Sequence, residues 1–138
     1  MNYLGTNMEL LLDTCTFLYA CFDDERLPEN IKDIISNPDN DVFVSMASLW
    51  EIAIKNAKRP ESMPYTAEDI CNALADTDYS LLPIHYSHFF SLKDIINEQI
   101  HQDPFDHLLI AVAKSEKFHL ITCDENIEKY SGIKVIAY

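Results

Sequence analysis

Short apolar runs alternate along this chain with longer stretches whose apolar residues recur every three to four positions. The alternation predicts strands interleaved with helices. Glu9 to Leu12 reads as a short buried strand, and Thr14 to Phe22 as a helix leaving it at Asp13. A second helix is expected from Pro28, a residue suited to a first helical position, to Ser36, before the turn cluster Asn37-Pro38-Asp39-Asn40. Val42-Phe43-Val44 has the β-branched and aromatic character of a strand. Ser45 can cap a helix from Met46 to Lys58, whose apolar face is expected to be Met46, Leu49, Trp50, Ala53 and Ile54.

In the second half, Thr66 followed by Asp69 reads as a helix start, with Ile70, Ala73 and Leu74 facing inward. Leu81-Leu82-Pro83-Ile84 reads as a strand, placed near a sheet edge by its proline. Ser87 to Asn97 and Asp103-Pro104 to Lys117 read as helices, His119 to Thr122 as a strand, Glu125 to Tyr130 as a short helix, and Lys134 to Ala137 as a last strand. The expected fold class is α/β, a sandwich of helices around a mostly parallel sheet. Functional residues in such sheets gather beyond the carboxyl ends of the strands. Residues 1 to 8 fall outside the pattern and read as a loose leader, with Met8 a conceivable alternative start, so a single domain is expected over residues 9 to 138.

A length of 138 residues and a hydrophobic content of 48% suit one domain with a real core. No apolar run approaches the roughly 18 residues that cross a bilayer, and the start lacks a secretory pattern, so a soluble, cytoplasmic protein without a membrane partner is expected. Cys15, Cys21, Cys71 and Cys123 are widely spaced without a C-x-x-C pair and read as reduced, mostly core thiols. The net charge of −13 argues against nucleic acid, whose phosphates are held by Lys and Arg, unless bound divalent cations reverse the local field.

The chemistry rests on acids at element junctions. Asp13 closes Leu10-Leu11-Leu12, Asp124 follows Leu120-Ile121-Thr122-Cys123, and Asp103 and Asp106 open a helix. Each has a plainer reading as a helix cap or a first-turn acid. Glu51 is either a surface partner of Lys55 or a partly buried carboxylate needing a cation or donors. Thr122 can orient a neighbouring acid. Two unit charges ~4 Å apart repel by roughly 1 to 4 kcal/mol, so converging acids call for a counter-ion, and Mg²⁺ or Mn²⁺ suits carboxylate oxygens. His85 and His88 lack a third ligand for zinc, whereas His101 and His107 flank the acidic helix start. There is no G-x-S-x-G, and two glycines cannot build a phosphate loop.

In order, Leu10-Leu11-Leu12-Asp13-Thr14, Val44 to Lys55 with Ser48-Leu49-Trp50-Glu51, His101-Gln102-Asp103-Pro104-Phe105-Asp106 with Leu108-Leu109-Ile110-Ala111, and Leu120 to Asp124 resemble the PIN-domain toxins of type II toxin–antitoxin systems, the VapC-like group. The resemblance runs from Glu9 to the C-terminus. It implies an α/β/α sandwich and an Mg²⁺- or Mn²⁺-dependent endoribonuclease, with Asp13, Glu51, Asp106 and Asp124 as the catalytic, metal-holding acids. Asp103 becomes an auxiliary ligand and Thr122 an auxiliary hydroxyl. It also implies an RNA substrate, an antitoxin partner and a homodimer. Cys15 and His107 depart from the pattern, His107 standing where many members carry arginine. A receiver domain would want an acidic pair near the first strand and a late lysine; a haloacid-dehalogenase-like phosphatase would want D-x-D, where residue 15 is cysteine. The stronger rival is a PIN-like module that binds RNA or a partner without cutting.

Overall fold

The computed structural model describes residues 7 to 100 and 102 to 138; the sequence expectations for residues 1 to 6 and for His101 lie outside them. Five parallel strands, β1 (Glu9–Leu12), β2 (Asp41–Ser45), β3 (Ser80–Leu82), β4 (His119–Thr122) and β5 (Lys134–Ala137), form one sheet in the order β3-β2-β1-β4-β5. The helices are α1 (Thr14–Cys21), α2 (Glu29–Ser36), α3 (Met46–Lys58), α4 (Ala67–Ala75), α5 (Leu92–Asn97) and α6 (Pro104–Glu116).

The chain builds outward from β1 through β2 to β3, then returns to the other side of β1 for β4 and β5. The switch in direction falls between β1 and β4, and at such a point the flanking connections part and leave a crevice at the carboxyl ends of the strands. Side chains of β1 alternate across the sheet. Leu10 and Leu12 join Phe17, Ile31, Ile34, Val44, Ile70 and Ile121 on one face, while Leu11 joins Leu109, Ile110, Val112 and Leu120 on the other. All three β1 leucines are fully buried, which is why this run reads as continuously apolar. Met8 N–H donates to Asn40 Oδ1 (3.0 Å), and the Asn40 amide donates to the Ile34 carbonyl (3.0 Å), tying the entry to β1 against the turn after α2.

Several local expectations are corrected. Pro28 is the N-cap of α2 rather than its first helical residue, because its extended ψ of 151° precedes the helix. β3 spans Ser80–Leu82, leaving Pro83 and Ile84 beyond the edge strand, where a missing N–H matters least. The helix expected over Ser87 to Asn97 divides into a 3₁₀ segment, Tyr86–Ser91, and α5. His88 accounts for the division: its Nδ1 accepts from His85 N–H at 3.0 Å and its Nε2 lies 3.0 Å from Glu116 Oε1, anchoring that turn to α6. Glu125 to Tyr130 is likewise a 3₁₀ segment, Glu125–Lys129.

The cysteines are free, but not mostly in the core. Cys15, Cys71 and Cys123 are exposed and Cys21 is half-buried. Cys15 and Cys71 stand on helix faces adjoining, but turned from, the buried Thr14, Thr16 and Ile70, and Cys123 lies in the bend beyond β4.

Candidate active site

Asp13 leaves the end of β1 with its backbone N–H donated to the Ile121 carbonyl of β4 (3.1 Å), which fixes it over the switch point. Its Oδ1 accepts from Thr16 N–H (2.8 Å), so the N-cap role is real. Capping does not exhaust the residue, because the carboxylate is only 7% exposed. Burial pushes the Asp13 carboxyl up from its ordinary value; hydrogen bonds from Thr122 and Thr16 pull it partly back, and the charge of Glu51 adds to the rise.

Glu51 comes from α3, whose inward face differs from the expected one. Ala47, Ser48, Glu51 and Ile52 are buried, whereas Met46 and Trp50 are 42% and 53% exposed. The helix turns a polar pair inward because partners wait there. Thr14, the first residue of α1, donates its hydroxyl to Glu51 Oε1 at 2.7 Å and sits 3.0 Å from Ser48 Oγ. Lys55, one turn on, donates to Glu51 Oε2 at 2.5 Å. Both readings of Glu51 therefore hold together: it is buried at 5% exposure and it pairs with Lys55. Burial works against the charge on Lys55, but the bond to Glu51 and the charges of Glu51 and Asp103 outweigh it and raise its pKa. Trp50 meets Phe105 edge-on at 4.9 Å and so joins α3 to the mouth of α6.

Thr122, fully buried at the end of β4, accepts from the Asp124 backbone N–H at 3.0 Å and hydrogen-bonds the Asp13 carboxylate, so one hydroxyl ties that carboxylate to the backbone of the bend after β4. Asp124 caps the following turn through Asn126 N–H (2.9 Å). Asp103 caps α6 by accepting from Phe105 N–H (2.9 Å), with Pro104 at the first helical position, and Asp106 lies partly exposed in the first turn. His107 is buried, edge-on to Tyr130 at 6.4 Å, and so faces the core.

The structure thus brings Asp13, Glu51 and Thr122 together, with the Asp124 backbone N–H on the Thr122 hydroxyl, the Asp124 carboxylate capping the next turn, and Asp103 felt electrostatically at Lys55. Thr14 and Ser48 belong to the same network, a role not recognised in the sequence. Their signal was spacing: Thr14 directly follows Asp13, and Ser48 stands one turn before Glu51. The donor chemistry, carboxylates and hydroxyls, suits a hard divalent cation. Among the described residues, however, no group of three or more His, Cys, Asp or Glu side chains converges closely enough to hold one, and Lys55 supplies the positive charge at Glu51. The Cys15 thiol beside the acids is pushed up to about 11, first by desolvation and then by Asp13, so it stays protonated at neutral pH and is a poor nucleophile. A separate cleft of about 560 Å³ opens at the opposite end of β2 and β3, away from this chemistry.

Because Glu51 is buried and Lys55 is half-exposed, Lys55→Met should strand a carboxylate. Denaturant unfolding in chelator is expected to show a loss of ~1 to 3 kcal/mol. An unchanged midpoint would mean that Thr14 and Ser48 suffice for Glu51.

A parallel α/β domain with buried acids at its switch point is the class that fold and site define. The chain belongs to the PIN domain family, whose model matches residues 10 to 133. A chain of the Rickettsia felis VapBC2 complex bound to a promoter DNA fragment is similar, with 15% identity, 95% of this chain and 99% of that one covered, and a TM-score of 0.72. VapBC-1 from nontypeable Haemophilus influenzae gives 16% identity, coverages of 94% and 98%, and a TM-score of 0.71. The DNA-bound VapBC of Salmonella typhimurium gives 18%, 94%, 98% and 0.69. No curated protein sequence matches. Among the described residues no helix is long and apolar enough to cross a membrane.

Proposed function

We propose that this protein is a divalent-metal-dependent endoribonuclease acting as the toxin of a type II toxin–antitoxin system in the cytoplasm. The observation that carries the reading is the buried Asp13 carboxylate at the β1–β4 switch point, beside Glu51 and hydrogen-bonded by Thr122, whose hydroxyl also accepts from the Asp124 backbone N–H. Support for the toxin role comes from the structural likeness to VapBC complexes, which motivates a cognate antitoxin as partner; the homodimer rests on the sequence resemblance to VapC-like toxins.

Asp13, Glu51, Asp106 and Asp124, with Asp103 as an auxiliary, would hold Mg²⁺ or Mn²⁺ once their side chains close on the cation and Glu51 exchanges Lys55 for it. The bound ion would supply charge neutralisation for an RNA phosphodiester and an activated water. The chain does the rest. The Thr16 N–H and the Thr122 hydroxyl fix the Asp13 carboxylate, the Thr14 hydroxyl fixes Glu51, and one carboxylate accepts the proton of the attacking water. Inducible expression should arrest bacterial growth and leave discrete cuts in RNA from the arrested cells. Growth unaffected by folded, expressed protein would count against a toxin.

A non-catalytic PIN-like module is the second reading, favoured by the Lys55–Glu51 pair and by the lack of a three-acid cluster among the described residues. Metal-independent RNA or partner binding without cutting would select it.

A further inference from the structure

Past Lys55 the last turn of α3 opens onto a cleft of about 500 Å³, lined by Lys55, Lys58, Arg59, Ser62 and Met63. This gathers three of the ten Lys and Arg residues of a chain with 23 acids, and no carboxylate lines the cleft among the described residues. Two other cations are ion-paired at the surface, Arg26 with Asp24 and Lys32 with Asp23 and Glu29. Neither Lys58 nor Arg59 makes an ion pair among the described residues, and both are exposed.

The walls are fixed. Arg59 N–H donates to the Lys55 carbonyl (2.8 Å), Ser62 and Met63 N–H groups both donate to the Arg59 carbonyl (3.0 Å each), and Asn56 Nδ2 donates to the Met63 carbonyl (2.9 Å), folding the segment back on α3. Complementing the carbonyl end of α3 accounts for cations at Lys55 and Lys58. The same holds for Arg59 at the C-cap, but it does not account for the cleft these three side chains line. Lys55 is shared by cleft and acid site, and Lys58 stands seven residues from Glu51, ~10 Å along the helix axis.

We propose that this cleft binds the phosphate backbone of a single RNA strand as it leaves the acid site, an inference that rests on the ribonuclease reading above. It locates phosphate attraction in a protein whose net charge of −13 otherwise opposes it. The strand crosses from carboxylates to cations at Lys55.

The test uses the full-length protein in chelator, so that nothing is cut, with a labelled oligouridylate followed by fluorescence anisotropy across a salt series. The double variant Lys58→Ala/Arg59→Ala should bind on the order of tenfold more weakly, with a log–log salt slope shallower by about 1.4, roughly 0.7 for each charge removed. Lys58→Arg should keep the wild-type slope, and the double variant should keep the wild-type circular dichroism and Mn²⁺-induced thermal shift. Unchanged affinity and slope in the double variant, or no binding by wild type at low salt, would overturn the inference. So would a loss confined to a poly-glutamate probe, which would mark an acidic-peptide site instead. Salt-sensitive binding lost with the two cations, in a protein that never cuts RNA with metal, would sustain the cleft and sink the nuclease reading. Cutting with an unchanged KM in the double variant, alongside unchanged binding, would do the reverse.

Discussion

Asp13→Asn is expected to abolish RNA cleavage and, at the same time, to make the metal-free protein more stable at neutral pH. The catalytic loss should be on the order of 10³-fold or more, about 4 kcal/mol of transition-state stabilisation. Asn caps a helix as well as Asp, so the bond from Thr16 N–H can survive and the fold should be kept. The stability gain follows from burial. Folded protein binds the Asp13 proton more tightly than the unfolded chain does, so this group's contribution is fully present below the ordinary carboxylate range and is lost as pH rises through the raised native value. Once pH rises above the ordinary carboxylate range the unfolded wild-type chain ionises at Asp13 while the fold resists that charge, a cost the Asn variant does not carry. Thermal unfolding in chelator should place the variant above wild type at pH 7, with the gap closing on acidification. For scale, ~1 kcal/mol moves the midpoint by roughly 3 to 4 °C in a chain of 138 residues. A variant less stable than wild type at pH 7 would mean that Asp13 is held chiefly as a structural acceptor.

Leu11→Ala should destabilise the fold severely. Leu11 is fully buried in the central strand and meets the α6 side of the sheet, a helix whose stretch from His107 to Ala113 is buried throughout. Removing its side chain loses transfer free energy and leaves a cavity that β1, paired on both sides, cannot collapse to fill. A cost of ~2 to 5 kcal/mol is expected, a fall on the order of 10 °C in midpoint. Trp50→Ala offers the contrast, because Trp50 is 53% exposed and its main partner is the Phe105 edge. A small loss at Leu11 beside a large one at Trp50 would misplace the core.

The strands were legible because a parallel sheet covered on both faces demands uninterrupted apolar runs, and Leu10 to Leu12 and Leu120 to Ile121 provide them. Asp13 and Asp124 were legible for the same reason, as the first acids after those runs. The inward face of α3 was not. Apolar periodicity marks burial only where the buried face is apolar, and here Ser48 and Glu51 point inward to Thr14 and Lys55 while Trp50 turns out to Phe105. The 3₁₀ segment at Tyr86–Ser91 was hidden because its cause, the contact of His88 with Glu116, spans 28 residues. The basic cleft was hidden in a different way. Net charge is a property of the whole chain, whereas Lys58 and Arg59 act where the fold leaves them unopposed.

The central claim is metal-dependent cutting of RNA by the acids at the switch point. Its most direct measurement incubates purified, antitoxin-free protein with total RNA and tRNA in Mg²⁺, Mn²⁺ or chelator, beside Asp13→Asn and Asp106→Asn. Discrete cuts that need the metal and vanish in both variants are the predicted result. Cutting that persists in chelator or in both variants, or folded protein that binds metal and leaves every RNA intact, would contradict it.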